Sequence, residues 1–191
     1  LAREHGKWNS LYAKNLRLPS SYPHSPKPHR RLRVGYVSPD FRKHAVASFI
    51  EPILRSHDKE KVEVFLYYTF ANRDEMTDHI ARLADGWREV HQLEEEALAR
   101  QIWQDRIDIL VDLSGHTAGH RLLVFARKPA PVQVTWIGYP DTTGLSAMDY
   151  RITDGYADPV GVTETLQSET LLRMSKSFLC YKPIAAGPNV S

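Results

Sequence analysis

From Leu32 to about Thr153 the chain alternates apolar runs of strand length with segments of helical spacing, and nothing constrains its fold more. The apolar runs are residues 32–38, 62–68, 87–90, 107–113, 132–137 and 150–153. The first, Leu-Arg-Val-Gly-Tyr-Val-Ser, is short and partly β-branched, and stops at Pro39, which has no N–H to give a ladder. Between the runs, Val46, Phe49, Ile50, Ile53 and Leu54 recur at i, i+3, i+4, i+7 and i+8, the stripe of a half-buried helix. Met76, Ile80 and Leu83 form a second stripe. Ala97 and Ile102 mark a third helix, with Glu94, Glu95 and Glu96 at its positive N-terminal end. Repeated alternation of this kind predicts an α/β fold, a parallel sheet with helices on both faces. No internal repeat is present.

The chain's 191 residues suffice for one such core and hardly for two. A lone Cys180 permits neither an internal disulfide nor a multi-cysteine zinc site, and fits a reducing, cytoplasmic setting. No run approaches the roughly 18 apolar residues of a membrane span, so no membrane partner is expected. Net charge is +2, and the local basic excess is confined to Lys27, Arg30, Arg31 and Arg33, too narrow a footprint for nucleic acid. Residues 1–31 differ from the rest: a short helical opening leads into Pro19, Pro23, Pro26 and Pro28, the pattern of an extended linker. The expected organisation is a helical and Pro-rich connector over 1–31 and a single lobe over 32–191. The opening on Leu1 instead of Met points to a segment of something longer.

In an open parallel sheet, ligands bind beyond the carboxyl ends of the strands. Three sequence-distant loops fall on that edge: residues 38–46 with Asp40, Arg42, Lys43 and His44; residues 114–121 with Ser114, Gly115, His116, Thr117, Gly119, His120 and Arg121; and residues 138–144, Gly-Tyr-Pro-Asp-Thr-Thr-Gly. Glycines let a ligand approach the backbone, and a helix start behind such a loop suits a phosphate or a polar sugar. Each residue also has a structural reading. Asp40 reads as a loop carboxylate ahead of a helix, His44 as a helix-entrance histidine, and Ser114 and Thr117 as turn residues. Equally, an imidazole four residues from a carboxylate can hold or move a proton near neutral pH. No G-x-G-x-x-G, Walker cradle, Cys-x-x-Cys, Asp-x-Asp or Gly-x-Ser-x-Gly occurs. His116 and His120 stand four apart, but Gly115 and Gly119 make their segment a loop, and no metal site is expected.

Four long segments, residues 32–41 with His44, 107–117, 129–140 and 148–154, resemble in order the O-GlcNAc transferase and SPINDLY family of protein O-glycosyltransferases, the likeness extending over about 1–188. The resemblance implies a Rossmann-like N-terminal lobe of a two-lobed GT-B catalytic region, with residues 1–28 similar to the connector from upstream tetratricopeptide repeats. It implies inverting transfer of GlcNAc from UDP-GlcNAc to Ser or Thr hydroxyls of acceptor proteins, with GDP-fucose as the alternative donor and with no metal or other cofactor. A C-terminal lobe of the same enzyme would hold most of the nucleotide. By the same resemblance Asp40 and His44 are the acid/base candidates, and Ala45, Val46, Ile137 and Gly138 line the sugar pocket. Arg121 and Tyr139 lie at its rim, and His116, Thr117, Pro140, Thr142 and Thr143 complete the substrate-binding loops. The chain departs from the animal enzymes in having His44-Ala45-Val46 for His-Pro-Thr and Ser114-Gly115-His116-Thr117 for Asn-Gly-Tyr-Thr, and in Asp141 and Thr143 for Gly and Ser. At these positions it is nearer to bacterial members and to the plant branch.

Overall fold

The computed structural model describes residues 1–18, 21–23 and 29–181. Seven strands form one sheet, every pair parallel, in the order β3-β2-β1-β4-β5-β6-β7. They are β1 (Leu32–Ser38), β2 (Val62–Tyr68), β3 (Gly86–Glu89), β4 (Ile109–Asp112), β5 (Val132–Thr135), β6 (Tyr150–Asp154) and β7 (Thr170–Met174). The helices are α1 (Ala2–Trp8), continued by a π-helical turn (Asn9–Ala13), α2 (Ala45–Ser56), α3 (Glu75–Ala81), α4 (Glu95–Gln104) and α5 (Leu122–Ala126). The α/β fold with a parallel sheet and helices on both faces is as the alternation predicts. Strand order reverses at β1: the chain builds leftward to β3, returns to β4, and then builds rightward.

Each face of the sheet carries its own core. On one, Val46, Ala47, Ile50 and Leu54 of α2 and Ile80 of α3 cover Val34, Tyr36, Val64 and Leu66. On the other, Leu98, Ala99 and Ile102 of α4 and Leu122, Val124 and Phe125 of α5 cover Val37, Tyr67 and Leu110. Leu110 is fully buried where Gly35 of the neighbouring strand leaves room; a Cβ on Gly35 would meet its side chain at 3.1 Å.

The structure corrects several sequence expectations. In α4 the inward residues are Leu98, Ala99 and Ile102, while Ala97 is exposed, because Leu98 rotates the stripe by one position. The run 87–90 forms a strand one residue earlier. The run 132–137 stops pairing at Thr135, because Ile137 adopts φ 52°, left-handed backbone that cannot extend a ladder. The helix α5 and the edge strand β7 have no counterpart among the sequence expectations.

The described part of the expected connector is helical over 2–13 and docks along the rest of the chain. Ala13 is buried, and Trp8, Leu16 and Leu18 pack on the α4/α5 core. Leu18 N–H donates to the Arg127 carbonyl at 2.9 Å, Tyr22 OH to the Lys128 carbonyl at 3.2 Å, and the Trp103 indole N–H to the Ser21 carbonyl at 3.1 Å. Residues 19–20 and 24–28 of the Pro-rich stretch and residues 182–191 lie outside the described residues. Among the described residues, no helix is long and apolar enough to cross a membrane.

Truncating Leu110 to Ala removes packing between two central strands and is expected to cost about 2–5 kcal/mol. Urea unfolding of the Leu110→Ala chain checks this, and a loss under about 1 kcal/mol would place the core elsewhere.

Candidate active site

The loop after β1 is tightly specified. Asp40 N–H donates to Ser38 Oγ at 2.9 Å, turning the chain sharply past Pro39. Phe41 is fully buried beside Tyr68 and Trp87. Lys43 N–H donates at 2.7 Å to Asp74, the residue that caps α3 by accepting from Thr77 N–H, so the loops after β1 and β2 are joined. His44 caps α2: its Nδ1 accepts Val46 N–H at 3.3 Å. In a neutral ring that places the proton on Nε2, so His44 offers an N–H donor on its other side. The Asp40 carboxylate receives Arg42 Nη2 at 3.3 Å and has its second oxygen 3.6 Å from His44 Nδ1. Asp40 is largely buried, whereas the His44 side chain is 39% exposed. The structure therefore brings together the two residues the sequence picked out for acid/base chemistry.

The loops after β4 and β5 are organised by a residue the sequence hides inside an apolar run. Asp112 is 1% exposed and accepts from Ser114 N–H at 3.1 Å, Gly115 N–H at 2.9 Å and Thr135 Oγ1–H at 2.8 Å. Burial pushes its carboxyl above the ordinary value near 3.8, with the three donors pulling the other way. Held so, the two loops meet at bare backbone. A Cβ on Gly115 (φ 54°) would lie 2.3 Å from Tyr139 Cβ, and one on Gly138 would lie 1.9 Å from the Leu113 carbonyl oxygen. Gly138 N–H closes on the Trp136 carbonyl at 2.8 Å around Ile137, a γ-turn that holds a β-branched residue at positive φ. Such strain costs about 1–3 kcal/mol and persists only where neighbours enforce it.

The remaining candidates divide. Ile137, Gly138 and Tyr139 are half-buried and Pro140 exposed in the loop after β5, two strands from β1, and Ala45 is exposed at the start of α2. Val46 is buried in the α2 core. Thr142 and Thr143 are buried and spend their hydroxyls on Glu169, which takes Thr142 Oγ1–H at 2.6 Å, Thr143 N–H at 2.8 Å and the Thr143 hydroxyl. Thr117 Oγ1–H turns back to the Ser114 carbonyl at 2.8 Å. Arg121 is engaged by other partners, its Nε 3.2 Å from Glu95 and its Nη2 donating to the Leu93 carbonyl. His116 donates Nε2–H to the Thr143 carbonyl at 2.8 Å and is sandwiched by α1. There His5 stacks on it at 3.9 Å, Trp8 meets its edge at 5.3 Å, and His5 Nε2 is 3.0 Å from Tyr139 OH. Sequence reasoning missed Asp112, Glu169 and His5; only the polar character of Asp112 at a strand's end gave any signal. Among the described residues no group of three or more His, Cys, Asp or Glu is placed to hold a metal ion.

Comparison with known proteins bears on this edge. The model of glycosyl transferase family 41 matches residues 10–182. A protein of Arabidopsis thaliana, "Probable UDP-N-acetylglucosamine--peptide N-acetylglucosaminyltransferase SPINDLY", is 42% identical over 98% of this chain and 21% of its own length. The Caenorhabditis elegans UDP-N-acetylglucosamine--peptide N-acetylglucosaminyltransferase is 37% identical over 78% of the chain and 13% of its own. Among solved structures, a mutant of Thermobaculum terrenum O-GlcNAc transferase superposes with a TM-score of 0.88 at 43% identity, over 93% of this chain and 34% of that one. The chain thus spans about a fifth of the length of the SPINDLY relatives.

The docking of α1 should depend on pH. Burial first, and the neighbouring His116 second, lower the pKa of both His5 and His120 below the ordinary 6.5. Depressed values favour the neutral rings, so docking is complete above about pH 6.5 and is lost as pH falls through the lowered values. Trp8 emission, taken as the difference between the chain and its Trp8→Phe variant, should change below about pH 6.5. A flat difference from pH 8 to 5 would show that these rings do not hold the helix.

Proposed function

The chain belongs to glycosyl transferase family 41, and from that premise we propose that it is the N-terminal catalytic lobe of a protein O-glycosyltransferase that moves GlcNAc from UDP-GlcNAc to Ser or Thr hydroxyls. The observation that supports this most is the Asp40–His44 pair just past the carboxyl end of β1, on the same sheet edge as the preformed backbone turn at Ile137–Gly138 after β5. In the reaction, the acceptor oxygen attacks the anomeric carbon from the face opposite the diphosphate. The new C–O bond forms as the bond to the β-phosphate oxygen breaks, UDP leaves with the electron pair, and the acceptor hydroxyl gives up its proton. The Asp40 carboxylate is the group suited to take that proton, directly or through a water. His44, with Nδ1 engaged by Val46 N–H, is suited to donate a hydrogen bond from Nε2.

Net charge is only +2, which suits a sugar-facing wall and leaves the diphosphate's counter-charge to a C-terminal lobe of the same enzyme. Upstream tetratricopeptide repeats would present acceptor segments, and the α1 connector would join them to the cleft. A single cysteine fits a cytoplasmic enzyme. The donor is the only small molecule the scheme requires.

The test is transfer by the full-length enzyme to a protein acceptor, with UDP-GlcNAc and GDP-fucose supplied separately. Turnover with UDP-GlcNAc is expected, and turnover with GDP-fucose alone would overturn the donor assignment. Asp40→Asn and His44→Ala should each slow transfer at least about tenfold, about 1.4 kcal/mol in barrier. Unchanged rates in both would return the pair to turn and cap duties.

A further inference from the structure

The strained turn at the sugar-facing edge has a holder that lies outside the three loops. Arg151 is the second residue of β6, in register with Thr135, where β5 ends. It is 6% exposed, and its guanidinium donates to three successive carbonyls: Tyr139 at 3.3 Å, Pro140 at 2.9 Å and Asp141 at 2.6 Å. Its charge faces Asp158, 3.6 Å from Nε, and Nε itself is buried without a hydrogen bond. Asp158 is fixed in turn by the Thr153 hydroxyl at 2.5 Å. A peptide's C=O and N–H point opposite ways in the trans form that the bonds of residues 139–141 adopt, so drawing the Pro140 carbonyl onto Arg151 turns Asp141 N–H away from the guanidinium. The segment beyond Ile137 is thereby given one shape. Beside it lies a cavity of about 140 Å³ walled by Trp136, Ile137, Tyr139, Arg151, Phe178 and Leu179, so packing alone does not fill the space behind the turn.

We infer that Arg151 is a positioning residue for the donor sugar: it touches no reacting atom and fixes the Ile137–Asp141 backbone against which the sugar rests. This inference rests on the proposed function for the sugar's identity and on the structure alone for the clamp. The planar fork is what the site requires. A lysine keeps the charge opposite Asp158 but, as a compact point charge, cannot span three carbonyls.

Two measurements test it, on Arg151→Lys and Arg151→Met. In the 191-residue chain, amide exchange over residues 136–144 should rise about tenfold or more in both variants while β1 and α4 keep their protection. In the full-length enzyme, KM for UDP-GlcNAc should rise at least about fivefold while KM for the acceptor stays within about twofold. Arg151→Lys should recover the melting temperature lost in Arg151→Met without recovering the donor KM. Exchange that is unchanged over 136–144, or that rises uniformly along the chain, would overturn the clamp. A donor KM that is unchanged, or that is restored by lysine together with the melting temperature, would reduce Arg151 to a stabilising residue. If the wild-type enzyme does not turn over UDP-GlcNAc, the proposed function fails, and the exchange arm still decides whether Arg151 holds the turn.

Discussion

A buried carboxylate governs the working edge of this lobe. Asp112 ends β4 with almost no exposure, and a charge so placed is tolerable only when its oxygens are fully bonded. Two of its donors are backbone amides of the loop that follows, and the third is a hydroxyl on the next strand. Satisfying Asp112 therefore fixes the turn after β4 and its registry with β5 together. Everything nearer the cleft inherits that geometry, including the contact of Gly115 with Tyr139 and of Gly138 with the Leu113 carbonyl. Removing the carboxylate would free two loops at once.

The positions beyond this anchor store strain and must be over-determined. Ile137 sits at φ 52°, and three sets of contacts keep it there: Asp112 through β5, Arg151 through the carbonyls of 139–141, and Glu169 through Thr142 and Thr143. A segment held from three elements needs little reorganisation, and polar surroundings preorganised in this way lower a barrier when they face developing charge. On the other flank the docked α1 closes over His116 and Tyr139, so the N-terminal segment and the loops after β4 and β5 are joined through side-chain contacts.

Much of the architecture was legible in the sequence because burial on both sheet faces writes continuous apolar runs, and because α2 shows its stripe plainly. Asp40 and His44 stand out in the sequence as polar residues just past a strand that stops before a proline. What stayed hidden depends on partners distant in sequence. β7 alternates between exposed and half-buried residues at a sheet edge, so it lacks the apolar run that reveals β1 or β2. Ile137 reads as strand because nothing local discloses a left-handed residue, and the bonds that occupy the Thr142 and Thr143 hydroxyls do not show in the sequence because Glu169 lies more than twenty residues away. The Pro-rich connector reads as free linker because its anchors, Arg127, Lys128 and Trp103, belong to the lobe.

The central claim is that the carboxyl edge of β1, β4 and β5 forms the sugar-facing wall of a nucleotide-sugar cleft. A crystal structure of the full-length enzyme with a non-hydrolysable UDP-GlcNAc analogue tests it most directly. The account predicts the sugar ring against the Ile137–Gly138 backbone, with its anomeric carbon facing Asp40 and His44. A donor bound with its sugar away from this edge, or against the β2–β3 side of the sheet, would contradict it.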